Sequence, residues 1–264
     1  MHFRRIPQVF RHAIGVPSLP TSKFGDEHCP ICDASKLSKA ACGQADSRHA
    51  TVCNQGLSID TGFIVQKSNN SARMERLTGL HGETCYVLIT DHFSGALYGG
   101  TFATKAPPVD YINRWLAKHG RGKDVANKYV RMDLGGDLGK STDIRNHFEE
   151  AGYVVEPTAP DSSHQNGPGE RPHRTIKDAL RSILYGAGLP LKFWPYTFHH
   201  YLRLYNVVPH GTRTLSSFEI RTGSPPDLQY LRTFGCKVSA LPARAHRPSS
   251  LEHGVRSGLF LGYT

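Results

Sequence analysis

The stretch of sequence that organises this chain runs from residue 57 to residue 65 and reads LSIDTGFIV. Apolar and polar side chains alternate along it, and its β-branched and aromatic residues favour extended backbone, so it predicts a β-strand. Two more strands are predicted downstream, over residues 84–90 (TCYVLIT) and from Ala96 to Phe102, with a turn at residues 91–95. The polar segment 66–82 between the first two strands is predicted to be a loop. Three successive strands predict the start of a sheet.

Beyond these strands, helical and extended patterns alternate. Pro107 and Pro108 introduce a helix in which Val109, Ile112, Trp115 and Leu116 share one apolar face. Ser141 is placed to cap a second helix that runs towards Ala151. The remaining predicted elements are strands at 128–132 and 153–156 and helices at 170–185 and 192–206. This order predicts an α/β fold in which a mixed sheet is flanked by helices.

The charge balance favours a polyanionic partner. Lys and Arg number 32 against 22 acidic residues, which gives a formal net charge of +10, and the isoelectric point is near 9.4. Neutralising phosphates releases condensed counterions, so this surplus suits nucleic acid, although a basic surface that only maintains solubility has the same composition. Six cysteines in 264 residues do not indicate a disulfide scaffold. No apolar run is long enough to cross a membrane, so a soluble intracellular protein is predicted.

Three acidic residues occupy places that suit metal-dependent phosphodiester chemistry. Asp60 lies inside the first strand, Asp133 directly follows a later strand, and Glu170 begins a helix. Two-metal catalysis needs acidic ligands that converge from different elements, and Mg²⁺ or Mn²⁺ prefers oxygen ligands. Other acids, namely Asp91, Asp137 and Asp143, are interpreted as caps or surface charges. The joint placement of the first three predicts a metal site.

The segments around these acids resemble the D, D, E signature of retroviral-type integrases, and in particular the copia-type retrotransposon branch. The segments are Ser58-Ile59-Asp60, the run 131–137 (RMDLGGD) and the run 164–171 (HQNGPGER). The 36 residues between Asp133 and Glu170 are close to the spacing usual in the family. Leu134 stands where the family usually has Asn, and Asp137 where it usually has Glu. The likeness continues to Phe260-Leu261-Gly262-Tyr263 and so covers nearly all of residues 29–264.

The resemblance implies a ribonuclease-H-like fold with a five-stranded mixed sheet and helices on both faces. It implies trimming of retroelement DNA ends and their joining to target DNA with two Mg²⁺ or Mn²⁺ ions. Asp60, Asp133 and Glu170 would be the catalytic metal ligands. Nuclear action and a homo-oligomeric active form are also implied by the family role.

A basic helical face is predicted beside the acids. Arg174, Lys177 and Arg181 follow Glu170 at four, seven and eleven residues, so all four share one side of the helix. In similar integrases the first two of these offsets contact the DNA end. Gln165 and Asn166, in the preceding loop, are further candidates for DNA contact. The alternative is an ordinary amphipathic helix with a solvated basic face.

The front of the chain carries a cysteine pair, Cys29 and Cys32, with zinc-ligand spacing. Integrases of this type have an N-terminal His-His-Cys-Cys module, and a lone CxxC supplies only two of the four ligands that structural Zn²⁺ needs. Zn²⁺ is therefore an open possibility here. Residues 1–45 are predicted to be a truncated remnant of that module, 46–226 the catalytic core, and 227–264 the start of a C-terminal segment.

Two functions remain open at this stage. One is an integrase that cuts and joins DNA. The other is an inactive or domesticated relic that binds nucleic acid without catalysis. A ribonuclease of the same fold fits the segment 164–171 less well.

Overall fold

The computed structural model describes residues 49–67, 74–120, 125–133, 137–158, 167–241 and 255–263. Its main sheet has five strands, namely β1 (Gly56–Gly62), β4 (Cys85–Asp91), β5 (Leu97–Phe102), β6 (Tyr129–Asp133) and β7 (Val154–Thr158). Their order across the sheet is β5-β4-β1-β6-β7. Strand β1 pairs antiparallel with β4 and parallel with β6, β4 pairs antiparallel with β5, and β6 pairs parallel with β7.

Helices cover both faces of this sheet. On one face, Leu57 and Ile59 of β1 and Met132 of β6 pack against α1 (Val109–His119) and α3 (Thr142–Glu150). On the other face, Tyr86 and Leu88 of β4 pack against α4 (Gly167–Ala187) and α5 (Trp194–Val207). The predicted ribonuclease-H-like fold, with a five-stranded mixed sheet between helices, is confirmed by this arrangement.

The helix ends follow from local sequence. The Ser141 hydroxyl accepts a hydrogen bond from the Ile144 backbone N–H at 3.4 Å, as its N-cap position predicts. The helix predicted over residues 170–185 extends from Gly167 to Ala187. A one-turn helix, α2 (Asp137–Lys140), was not predicted, because four residues carry no helical periodicity.

The predicted loop over residues 66–82 is wrong in part. It contains most of a small antiparallel pair, β2 (Val65–Lys67) and β3 (Met74–Arg76). Most of the side chains on these two strands are exposed. They bury no apolar face, so the sequence lacks the alternation by which a strand is recognised. Residues 68–73 lie outside the described part.

The segment after residue 226 packs onto the core. Helix α6 (Ser217–Thr222) precedes it, and β8 (Lys237–Ala240) pairs antiparallel with β9 (Arg256–Leu259). Phe234 and Leu261 join the apolar cluster around α5. The His200 ring on α5 lies between the rings of Phe234, Phe260 and Tyr263. The boundary between 226 and 227 stays a prediction, and residues 1–45 lie outside the described residues.

Candidate metal and DNA site

Two of the three predicted acids lie side by side on the sheet. The parallel pairing of β1 with β6 matches Ser58 with Arg131 and Ile59 with Met132. Asp60 and Asp133 are each the next residue, so their Cα atoms are about 5 Å apart, the spacing of neighbouring strands. Ile59 and Met132 are buried against α1 and α3, and side chains alternate along a strand. The two carboxylates therefore lie on the opposite face, where α4 packs, and both stay exposed at the edge of that contact.

Helix α4 approaches these acids through His173. Its Nε2 atom lies 3.2 Å from Oδ2 of Asp60. Glu170 is three residues earlier in the same helix, one turn closer to the helix N-terminus. The Glu170 side chain lies outside the described part of the structure, so its convergence with Asp60 and Asp133 stays a prediction. What the structure brings together is β1, β6 and the beginning of α4.

His173 was not predicted as a site residue. Its Nδ1 atom is 2.9 Å from the Tyr86 hydroxyl, and the two ring centroids are 5.5 Å apart. Tyr86 is fully buried, and burial, followed by the charge of Asp60, raises the pKa of its phenol, which stays protonated. The Tyr86 ring lies against Gly62, where an added Cβ would collide with it. A glycine on β1 thereby lets the phenol reach His173.

A row of polar side chains extends behind the acids on the same face. Ser58 Oγ is 2.6 Å from Nε2 of His92, and Nδ1 of His92 is 3.1 Å from the Tyr129 hydroxyl. Burial, and then the charge of Arg131, lowers the pKa of His92 to about 4. Arg131 Nε donates a hydrogen bond to Oε2 of Glu156 at 3.2 Å. This row was not predicted, since its members come from three strands and the β4–β5 turn.

The basic face of α4 is present as predicted. Arg174, Lys177 and Arg181 are exposed, while Ile176, Leu180 and Leu184 are buried on the other side of the helix. The three cations, with His173 and Asp178, line an open cleft of about 370 Å³. Arg181 Nη1 also lies 3.3 Å from Oδ1 of Asp178. The cleft therefore presents positive charge next to Asp60. Gln165 and Asn166 lie outside the described residues.

The donor chemistry of the site suits a hard divalent cation. Asp60 and Asp133 offer carboxylate oxygens, the ligands that Mg²⁺ and Mn²⁺ prefer. Asp60 is held by the Thr61 backbone N–H, which donates to its Oδ1 at 2.7 Å. Within the described ranges, which exclude the Glu170 side chain, no group of three or more His, Cys, Asp or Glu residues is arranged to hold a metal ion. Cys29 and Cys32, the predicted zinc ligands, lie outside those ranges.

Comparison with known proteins identifies the relatives of the chain, although no family model matches it. The Pol polyprotein of transposon RE2 from Arabidopsis thaliana is 27% identical over 182 residues, 68% of this chain. That of transposon RE1 from the same plant is 31% identical over 119 residues, 45% of this chain. That of transposon TNT 1-94 from Nicotiana tabacum is 26% identical over 188 residues, 71% of this chain.

Its homologues are retrovirus-related Pol polyproteins of plant transposons. The predicted resemblance to the copia-type branch is thereby confirmed. The matched segments span only 12%, 8% and 14% of those three polyproteins. An activity of those polyproteins can therefore be assigned to this chain only as a proposal.

Solved structures of retroviral proteins also resemble the chain. One is a simian T-cell lymphotropic virus intasome in complex with the PP2A regulatory subunit B56 gamma. It has a TM-score of 0.49 and 14% identity, and the match covers 74% of this chain and 63% of that one. Another is the HTLV-2 integrase catalytic core domain in complex with magnesium, in a trimeric form. Its TM-score is 0.45 with 15% identity, over 66% of this chain and 99% of that one. The fold is defined by this chain's own sheet order and helix layers.

Among the described residues, no helix is both long enough and apolar enough to span a membrane.

Proposed function

We propose that this chain is an integrase-type polynucleotidyl transferase that trims retroelement DNA ends and joins them to target DNA. Asp60, Asp133 and Glu170 would hold Mg²⁺ or Mn²⁺. The observation that supports this most directly is the neighbouring position of Asp60 and Asp133 on parallel strands, with the start of α4 beside them. The homology to transposon Pol polyproteins supports it independently.

Each residue of the site has a role that follows from its position. Asp60, Asp133 and Glu170 would hold a pair of ions, whose charge would stabilise the attacking and the leaving oxygen of the phosphodiester. Asp60 is held in one orientation by the Thr61 N–H, and the backbone of Asp133 is fixed by the pairing of β6 with β7, where it lies opposite Thr158. Arg174 and Lys177 would bind DNA phosphates, which positions the strand at the acids without reading sequence. Homo-oligomerisation and nuclear action are proposed from the same family role.

A joining assay tests the proposal against the alternative of an inactive relic. Short duplex ends are incubated with the chain and a target plasmid, in Mn²⁺ and in Mg²⁺. Joined products that depend on the metal are the expected result. DNA binding without any trimmed or joined product, in either metal, would identify the chain as a nucleic-acid-binding relic.

The basic face of α4 gives a second prediction. Arg174→Ala combined with Lys177→Ala should lower the salt dependence of DNA binding, with the slope of log affinity against log salt reduced by about 2, because each lost phosphate contact removes about 0.9. Binding is measured by fluorescence anisotropy across a salt series.

The matched control for this pair is Arg114→Ala with Lys118→Ala. These two exposed cations lie four residues apart on α1, which packs on the opposite face of the sheet. The control removes the same charge far from the acids. An equal change of slope in both double variants would show that only net charge matters, and the α4 face would then be an ordinary solvated surface.

A further inference from the structure

His173 has an enclosed nitrogen that lies beside Asp60. Its Nε2 atom is shielded from solvent and makes no hydrogen bond among the described residues. The same atom is 3.2 Å from Oδ2 of Asp60, in ion-pair range but without hydrogen-bond geometry. A buried polar atom is expected to have a partner, because leaving it unpaired costs the free energy of removing it from water with nothing in return. An enclosed nitrogen beside a carboxylate is thus suited to a partner that both groups share.

The other ring nitrogen fixes the orientation of the imidazole. Nδ1 of His173 is 2.9 Å from the Tyr86 hydroxyl, and Tyr86 is immobilised against Trp194 and Phe198. Metal-binding histidines usually donate their second ring N–H to a fixed oxygen, which sets the tautomer. If Nδ1 donates to the phenol oxygen, Nε2 is the unprotonated nitrogen and its lone pair is free to bind a cation beside Asp60.

The separation of these two atoms matches that of neighbouring ligands. Two ligands at right angles around one ion, each at about 2.1 Å, lie about 3.0 Å apart. We propose that His173 supplies a nitrogen ligand to the cation that Asp60 holds, so that the site prefers Mn²⁺ to Mg²⁺. Imidazole nitrogen suits transition-metal ions, whereas Mg²⁺ favours oxygen ligands. This inference rests on the proposed function, because it concerns the same metal site.

The competing explanation is a positioning role. In that case Nε2 would carry the proton and hold the Asp60 carboxylate in place, with no bond to the metal. Both explanations predict weaker metal binding when His173 is replaced. They differ in metal preference and in whether the bound ion senses a nitrogen.

The experiment uses Mn²⁺ itself as a probe on the full chain. Electron spin echo modulation reports coupling of Mn²⁺ to the nitrogen of a coordinated imidazole, and calorimetry gives the affinities for Mn²⁺ and Mg²⁺. We expect nitrogen modulation in the native chain and its loss in His173→Asn. The same variant should bind Mn²⁺ about tenfold more weakly and Mg²⁺ within about twofold of the native chain.

His147→Gln is the matched control, since His147 contacts Glu150 three residues later on α3, away from the acids. It should keep both the modulation and the affinities. Native-like modulation in His173→Asn, or equal losses of Mn²⁺ and Mg²⁺ affinity, would overturn the nitrogen ligand.

Asp60→Asn separates failure of this inference from failure of the proposed function. If Asp60→Asn abolishes Mn²⁺ binding while His173→Asn leaves the modulation unchanged, the metal site stands and the nitrogen ligand falls. If Asp60→Asn binds Mn²⁺ as the native chain does, the ion is not held at this site, and both proposals fall.

Discussion

Replacing Asp133 by Asn is expected to reduce DNA joining about a thousandfold, which corresponds to about 4 kcal/mol of transition-state stabilisation. Asparagine has nearly the same size as aspartate, so the strand geometry at the end of β6 should be kept. It removes the negative charge that a divalent cation needs from this ligand. The measurement is the yield of joined product per unit time, at saturating Mn²⁺ and DNA.

The interpretation of this variant depends on DNA binding, which should not decrease. Removing an acid makes a chain with a net charge of +10 still more basic, so its affinity for DNA should hold or rise. Asp143→Asn is the control, because it makes the same change at an exposed acid in the first turn of α3. Equal joining by the Asp133→Asn variant and the native chain would show that the acids do not perform the reaction.

Replacing Asp91 by Ala is expected to lower the free energy of unfolding by at least about 3 kcal/mol, because three buried donors lose their acceptor. Asp91 is fully buried and accepts hydrogen bonds from the backbone N–H of Asn54 at 2.9 Å and of Ser94 at 3.1 Å. The Ser94 hydroxyl donates to it as well. Alanine would leave these buried donors without an acceptor, at about 1–3 kcal/mol for each.

Urea denaturation followed by circular dichroism measures this loss. Asp110→Ala is the control, since Asp110 is an exposed acid in the first turn of α1. Its effect should stay within about 0.5 kcal/mol. An unchanged midpoint for Asp91→Ala would mean that water replaces the carboxylate at no cost.

The burial of Asp91 could not be predicted from the sequence. Its interpretation as a cap holds in that it accepts from Ser94 three residues later, but its interpretation as a surface charge is wrong. The turn is buried by distant residues, because Ser217 on α6 donates a hydrogen bond to the Ser94 carbonyl oxygen at 2.8 Å. No pattern within residues 91–95 encodes a contact with residue 217. Asp143, by contrast, is exposed in a first helical turn, as its sequence position indicates.

The main sheet was predictable because its strands carry their own signals. Alternation around residue 59 and the apolar runs at 84–90 and 128–132 each identify a strand without reference to the others. Strand β1 nevertheless ends at Gly62, three residues before the predicted end. The short exposed pair β2 and β3 gave no such signal.

The sequence predicted the site only where the position of a residue follows from its own strand or helix. The position of Asp133 directly after Met132 was enough to put it at a strand end, and the family resemblance linked it to Asp60. The role of His173 depends on how α4 approaches β1, which is a tertiary contact. The one available hint was its spacing of three residues from Glu170, which places both on adjacent turns of one helix.

The glycine at position 62 limits which substitutions this chain can accept without a change at its metal site. Any larger residue there would push the Tyr86 ring away and withdraw the phenol from the imidazole of His173. Under the nitrogen-ligand proposal, Gly62 then helps to set the preference for manganese over magnesium, although it would contact neither the ion nor the nucleic acid. A variant of this chain could switch its preferred cation through one substitution in the middle layer of the fold, with all three acids intact.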